Sequence, residues 1–137
     1  MVRETLGVLD VDRGLLRLPG PLIAVELVVT ATGPADLTAV VLELTGPDGH
    51  PCRVDLAAFG RPSSWVRQPD RWVVEQPASA RLRVLIDGGL VEIFCDDGRA
   101  AATSDLALAS VHSVALAGAR RGTRVVVSRI APLQVLD

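Results

Sequence analysis

Lysine, asparagine and tyrosine are all missing from this sequence, so each of its 14 basic residues is an arginine. That skew follows the composition of a GC-rich genome. Arginine-for-lysine exchange is a weak signature of heat adaptation, so it carries no functional weight. An excess of one charge is also lacking. Sixteen acidic residues against 14 basic ones leave a formal net charge of -2, and no field is built to draw in nucleic acid or anionic lipid. Cysteine is scarce, and Cys52 and Cys95 lie too far apart for a zinc or dithiol motif, so free buried thiols are expected and no metal or cofactor. A long apolar run is absent: the stretch from Pro21 to Thr32 is interrupted by Glu26 and falls short of the roughly 20 residues that span a bilayer. The opening Met1-Val2-Arg3-Glu4-Thr5-Leu6 carries an acidic residue and lacks the apolar core of a secretory signal. This leaves open a cytoplasmic protein or a module cut from a larger secreted precursor.

What is present is an ordinary core-forming composition, 49% hydrophobic and 22% charged over 137 residues. A chain of this size buries roughly two thirds of its unfolded surface and needs neither disulfide nor metal to hold a core. Runs of valine, leucine and isoleucine recur about every eight to twelve residues between Gly, Pro and Asp clusters, the pattern of an all-β, antiparallel two-sheet β-sandwich. The clearest runs are Leu22 to Thr30, Thr38 to Leu44, Arg71 to Glu75, Leu82 to Asp87, Leu90 to Asp96, Val111 to Leu116 and Arg124 to Ile130. About ten strands are expected, and no helix. With no repeat and no linker, residues 1–137 are expected to form a single domain, 1–20 as a lead-in segment and 21–137 as the core module.

The most sharply defined piece runs from Leu82 to Arg99. Gly88-Gly89 suits a two-residue hairpin turn and Asp97-Gly98 suits the next, because such turns need positive φ at their centre. Three consecutive strands follow. Alternation places Leu82, Val84 and Ile86 on one face with Val91, Ile93 and Cys95, and Arg83, Leu85 and Asp87 on the other with Leu90, Glu92 and Phe94. The expected inner core draws on Val25, Leu27, Leu42, Leu82, Val84, Ile86, Val91, Ile93 and Val126.

This stretch resembles the C-terminal β-sandwich module of glycoside hydrolase family 32, the levanase, inulinase and invertase family, whose signature has the form L-R-V-x-V-D-x-S-x-V-E-V-F-x-N-D-G. The matching residues are Leu82-Arg83-Val84-Leu85-Ile86-Asp87, then Leu90-Val91-Glu92-Ile93-Phe94, then Asp97-Gly98. Ala102-Thr103-Ser104 is similar to the family's Thr-Ser on the next strand, and Ala24-Val25-Glu26-Leu27 with Thr38 to Leu44 to its opening pair. The resemblance implies a jelly-roll or concanavalin-like sandwich that accompanies a catalytic five-bladed propeller and is related to fructan-binding modules. There are departures. Gly88-Gly89 stand where the family often has Arg-Ser, and Val54-Asp55-Leu56 lacks the arginine of the family's middle-strand Asp-Arg pair. The propeller's Asn-Asp-Pro-Asn, Arg-Asp-Pro and Glu-Cys motifs are all missing. Retaining glycoside hydrolysis needs two carboxyl groups roughly 5 to 5.5 Å apart, and no pair here is assignable to those roles.

The resemblance therefore implies a non-catalytic accessory module whose partner is a propeller or a fructan-type carbohydrate. An autonomous fructan-binding module and an interaction domain without a sugar role are the alternatives. Candidate sugar contacts are Asp87 and Glu92, two acceptors on one hairpin, with Trp65 as a stacking surface and Arg67 as a guanidinium donor. Each has a plainer role: Asp87 bonding its own turn, Glu92 pairing with Arg83 across the strands, Trp65 in a core or rim. Asp96-Asp97 has too few neighbouring oxygens for calcium. His50 and His112 belong to no motif that would anchor a Ser-His-Asp triad.

Overall fold

The computed structural model describes residues 2–56, 66–68, 71–73, 80–95, 100–105 and 108–131, of which 34, 66–68, 71–73, 95 and 100–105 are described by backbone alone. These residues form twelve strands: β1 (Val2–Leu9), β2 (Leu15–Leu22), β3 (Ala24–Thr30), β4 (Val41–Thr45), β5 (Pro51–Asp55), β6 (Val66–Gln68), β7 (Arg71–Val73), β8 (Arg81–Asp87), β9 (Leu90–Cys95), β10 (Ala100–Asp105), β11 (Val111–Gly118) and β12 (Arg124–Ala131). All pairings are antiparallel. One sheet has six strands in the order β1-β12-β3-β8-β9-β10, a second has four in the order β2-β11-β4-β5, and β6-β7 make a separate ribbon. The expected all-β sandwich is what the chain forms.

The core lies between the two larger sheets. Val25, Leu27 and Val29 of β3, Leu82, Val84 and Ile86 of β8, Val91 and Ile93 of β9, and Val125 and Val127 of β12 meet Leu42 and Leu44 of β4, Val54 of β5 and Val114 of β11 in one apolar cluster. Alternate residues of β4, β8 and β9 are buried, and burial of these valines, leucines and isoleucines supplies the main stabilisation. Eight of the nine expected core residues are in this cluster. The exception is Val126, which is half-buried and faces outward between Val125 and Val127. In an unbroken run of three valines nothing local marks which ones turn inward. Cys52, opposite Leu44 at the sheet edge, is free but only half-buried, a correction to the fully buried thiol expected.

Three boundaries differ from the hydrophobic runs. Leu22 to Thr30 is not one strand: β2 ends at Leu22 in the four-stranded sheet, and β3 starts at Ala24 in the six-stranded one, leaving Ile23 63% exposed at the crossing. Thr38 does not open β4. Its hydroxyl donates to the Ala35 carbonyl at 2.7 Å inside a 3-10 turn, Pro34–Ala39, a local bond that competes with extension. Residues 1–20, read as a lead-in, include β1 and most of β2. Leu9 is fully buried, and a bulge at Leu6 interrupts the alternation that would have marked β1 as a strand. The turns expected at 60–64 and 96–98 lie outside the described residues.

Candidate functional site

The hairpin that carries the sequence resemblance is formed as the pattern predicts. Gly88 and Gly89 both have positive φ, 58° and 88°, as a primed two-residue turn requires, and the Gly88 N–H also donates to the Ile23 carbonyl at 3.1 Å. The register runs Arg83 to Phe94, Leu85 to Glu92 and Asp87 to Leu90. Asp87 and Glu92 therefore share the outer face of the six-stranded sheet as diagonal neighbours, about 7–8 Å apart. β10 follows beside β9, with Thr103 opposite Glu92.

Glu92 does not pair with Arg83. Arg83 instead lies over the Phe94 ring, 4.8 Å from its centroid, a cation–π contact, and brings its Nε to 3.7 Å from Glu26 Oε2. Glu26 sits on β3, one strand further in, and its other carboxylate oxygen accepts from Arg3 Nε of β1 at 2.9 Å. The Glu26 side chain is only 5% exposed, whereas Arg3 and Arg83 are 46% and 40% exposed. A buried carboxylate thus lies between two guanidiniums that remain in water, hydrogen-bonded to Arg3 and ion-paired at longer range with Arg83, an arrangement that links β1 and β8 to β3. This cluster was not foreseen as a site. Arg3, Glu26 and Arg83 lie far apart in sequence, and only the strand order joins them.

Of the other candidates, Trp65 lies outside the described residues. Arg67 is placed only by its backbone, on β6 opposite Trp72 of β7. His50 is exposed in the β4–β5 turn, where Asp48 Oδ1 accepts from its backbone N–H. His112 Nε2 is buried without a hydrogen-bond partner, and the residue sits where the β11–β2 register shifts, between Val111 opposite Leu22 and Ser113 opposite Arg17. Neither imidazole is part of a Ser-His-Asp arrangement among the described residues. Among the described residues no group of three or more His, Cys, Asp or Glu side chains could hold a metal, and no helix is long and apolar enough to cross a membrane.

Fold and face together define an antiparallel two-sheet β-sandwich with a polar, partly open outer sheet face. No protein-family model matches the chain, and no curated protein matches it. Among solved structures it is similar to the GH32 beta-fructofuranosidase of Bombyx mori, with a TM-score of 0.51 and 17% identity over 88% of this chain and 26% of that one. The chain thus spans about a quarter of that enzyme's length, and at this identity the likeness establishes the fold.

Proposed function

We propose that the chain is a non-catalytic accessory β-sandwich of a family 32 glycoside hydrolase system, docking on or supporting a catalytic propeller that these 137 residues do not contain. The observation that carries this reading is the match of 88% of this chain to only 26% of a beta-fructofuranosidase. It is joined by the signature residues Leu82 to Phe94, which form the β8–β9 hairpin between β3 and the β10 edge of the six-stranded sheet. The missing Asn-Asp-Pro-Asn, Arg-Asp-Pro and Glu-Cys motifs set chemistry apart from this module. The test is co-expression with a propeller of that family encoded in the same genome. Co-elution, with a gain in the propeller's thermal stability, is expected. Separate elution at micromolar concentrations and an unchanged melting temperature would refute docking.

A second reading, fructan binding by the module itself, is favoured by one feature. Asp87 and Glu92 lie on the same outer face as the Arg83–Phe94 pair, so acceptors, a donor and an aromatic surface converge there. Trp65 and Arg67 are the remaining candidate contacts. Sugar hydroxyls exchange water for protein at a net gain of about 0.5–1.5 kcal/mol per bond, so affinity is expected in the micromolar to millimolar range, about 4–8 kcal/mol. Calorimetric titration with fructose, inulin and levan decides it. Heat that disappears in Glu92→Ala supports the site, and no heat at millimolar ligand removes it.

A further inference from the structure

Among the described residues the large apolar side chains left exposed are Val2, Val11, Leu15, Ile23 and Leu90. Three of these gather at the end of the sandwich marked by the Gly88-Gly89 turn. Val2 of β1 stands opposite Ala131 of β12, and the β12–β3 register, with Arg129 opposite Val25, carries on to set Ala131 beside Ile23. The Gly88 N–H donates to the Ile23 carbonyl, and Leu90 leaves the turn opposite Asp87. These residues make one strip over the ends of β1, β12, β3, β8 and β9, about 20 Å long at about 4.8 Å per strand. Ile23 and Ala131 are in phase with the buried Val25 and Val127, so the side that builds the core elsewhere is uncovered here. Charge is sparse along the strip. Glu4 and Arg129, at its β1–β12 flank, are paired with each other. At the other flank Asp87 is exposed and has no ion pair or hydrogen bond among the described residues, and Asp105 follows opposite Leu90 on β10. Asp48 and His50 lie apart on the β4–β5 turn, at the edge of the smaller sheet away from β2. The opposite end of the sandwich differs: Asp10, Asp12, Arg13, Arg120, Arg121 and Arg124 are all exposed there. We propose that the strip is the surface on which the sandwich meets the catalytic propeller, and that the propeller presents to it an apolar patch with a cationic side chain placed for Asp87. The inference rests on the accessory-module reading.

Apolar surface exposed in a contiguous patch marks a contact site, and its position selects the partner. Val2 and Ala131 are cross-strand neighbours inside the strip, so a domain joined through either end of the sandwich is tethered beside it, while a second copy gains nothing from that tether. At about 20 Å by the roughly 10 Å between packed sheets, the strip covers about 200 Å², a quarter of the roughly 800 Å² per partner in a free-standing interface. It is therefore the apolar centre of a contact with a polar rim, too small to hold two untethered copies and suited to domains that a linker keeps at millimolar effective concentration. Titration of the full isotope-labelled chain with a purified family 32 propeller from the same genome, carried to millimolar concentration and followed by its amide resonances, maps the surface directly. Shifts or broadening are expected at Val2, Ile23, Gly88, Leu90 and Ala131, and none at Asp12, Arg121 or Arg124. Ile23→Glu should raise the dissociation constant about tenfold or more, as loss of a central apolar contact does. Asp87→Arg should raise it as well, whereas Leu15→Glu, comparably exposed at the other end, should leave it within about twofold, the behaviour of a residue outside the contact. Amide spectra recorded beforehand establish that each variant is folded. Binding of the wild type that perturbs only other surfaces, or that Ile23→Glu leaves unchanged, would overturn the strip and leave the accessory reading standing; no binding at millimolar concentration would overturn both. A wild-type dimer abolished by Ile23→Glu, with no response to the propeller, would give the strip to a second copy instead.

Discussion

Glu26 concentrates the electrostatics of the outer face in one side chain. Its burial is tolerable because Arg3 donates to one carboxylate oxygen and the Arg83 charge lies near the other, yet the guanidiniums keep much of their own hydration. Removing one partner leaves a charge-assisted bond unmade at a buried acceptor, so Arg3→Ala should lower stability by about 1–3 kcal/mol in denaturant unfolding. Glu26→Leu should cost less than that, because an apolar replacement removes the buried charge together with its need for partners. Ile86, 1% exposed between the sheets, is a different case. Ile86→Ala deletes buried carbon and leaves a cavity, an expected loss of about 2–5 kcal/mol. The phase of β12 has its own check. Val125→Thr places a hydroxyl in the apolar core and should cost about 1–3 kcal/mol, whereas Val126→Thr on the outer face should stay near 0.5 kcal/mol.

Among the elements, the β8–β9 hairpin was the most legible and the β1 edge the least. Alternation and a double glycine specify the hairpin locally: residue types preset the turn and the turn presets the register. Gly88 has no atom within 4 Å of where a Cβ would lie, so a substitution there meets backbone strain alone. Gly88→Val should lose about 1–2 kcal/mol, and Gly88→Asn distinctly less, since asparagine tolerates the left-handed region; thermal melts of the two variants separate the effects. β1 carries no such instructions. Its alternation is broken by a bulge, its first half carries the polar run Arg3-Glu4-Thr5, and its place is decided by β12, more than a hundred residues away. The 3-10 turn before β4 was hidden for a related reason. A threonine in an apolar run reads as strand, and the hydroxyl bond that folds it back goes to the Ala35 carbonyl, before that run begins.

At the scale of the whole molecule, the two-sheet architecture followed from composition and turn spacing, because alternating apolar runs of this length can be satisfied only by burying one face of each sheet against the other. The candidate site was legible only in part. Asp87 and Glu92 were placed on one face by period two, but Glu26, Arg3 and the Arg83–Phe94 contact required knowing that β3 lies between β12 and β8. Strand order is set by the summed packing of the core, which no single run of sequence reports. If the chain is the accessory module proposed, the purified protein should release no fructose from sucrose, inulin or levan above a buffer control. Turnover that survives repurification and is abolished by a substitution in this chain would contradict that. The neighbouring positions of β1 and β12 also govern how the protein folds. Arg129 donates to Glu4, a bond between residues 125 apart, so the six-stranded sheet cannot be completed on a ribosome until nearly all of the chain has emerged. Non-local pairing of this kind slows folding. The uncovered edge of β12, and the apolar side of β1 with Leu9, must wait together, which makes the newly made chain most prone to pairing with a neighbour just before its last strand finds its first.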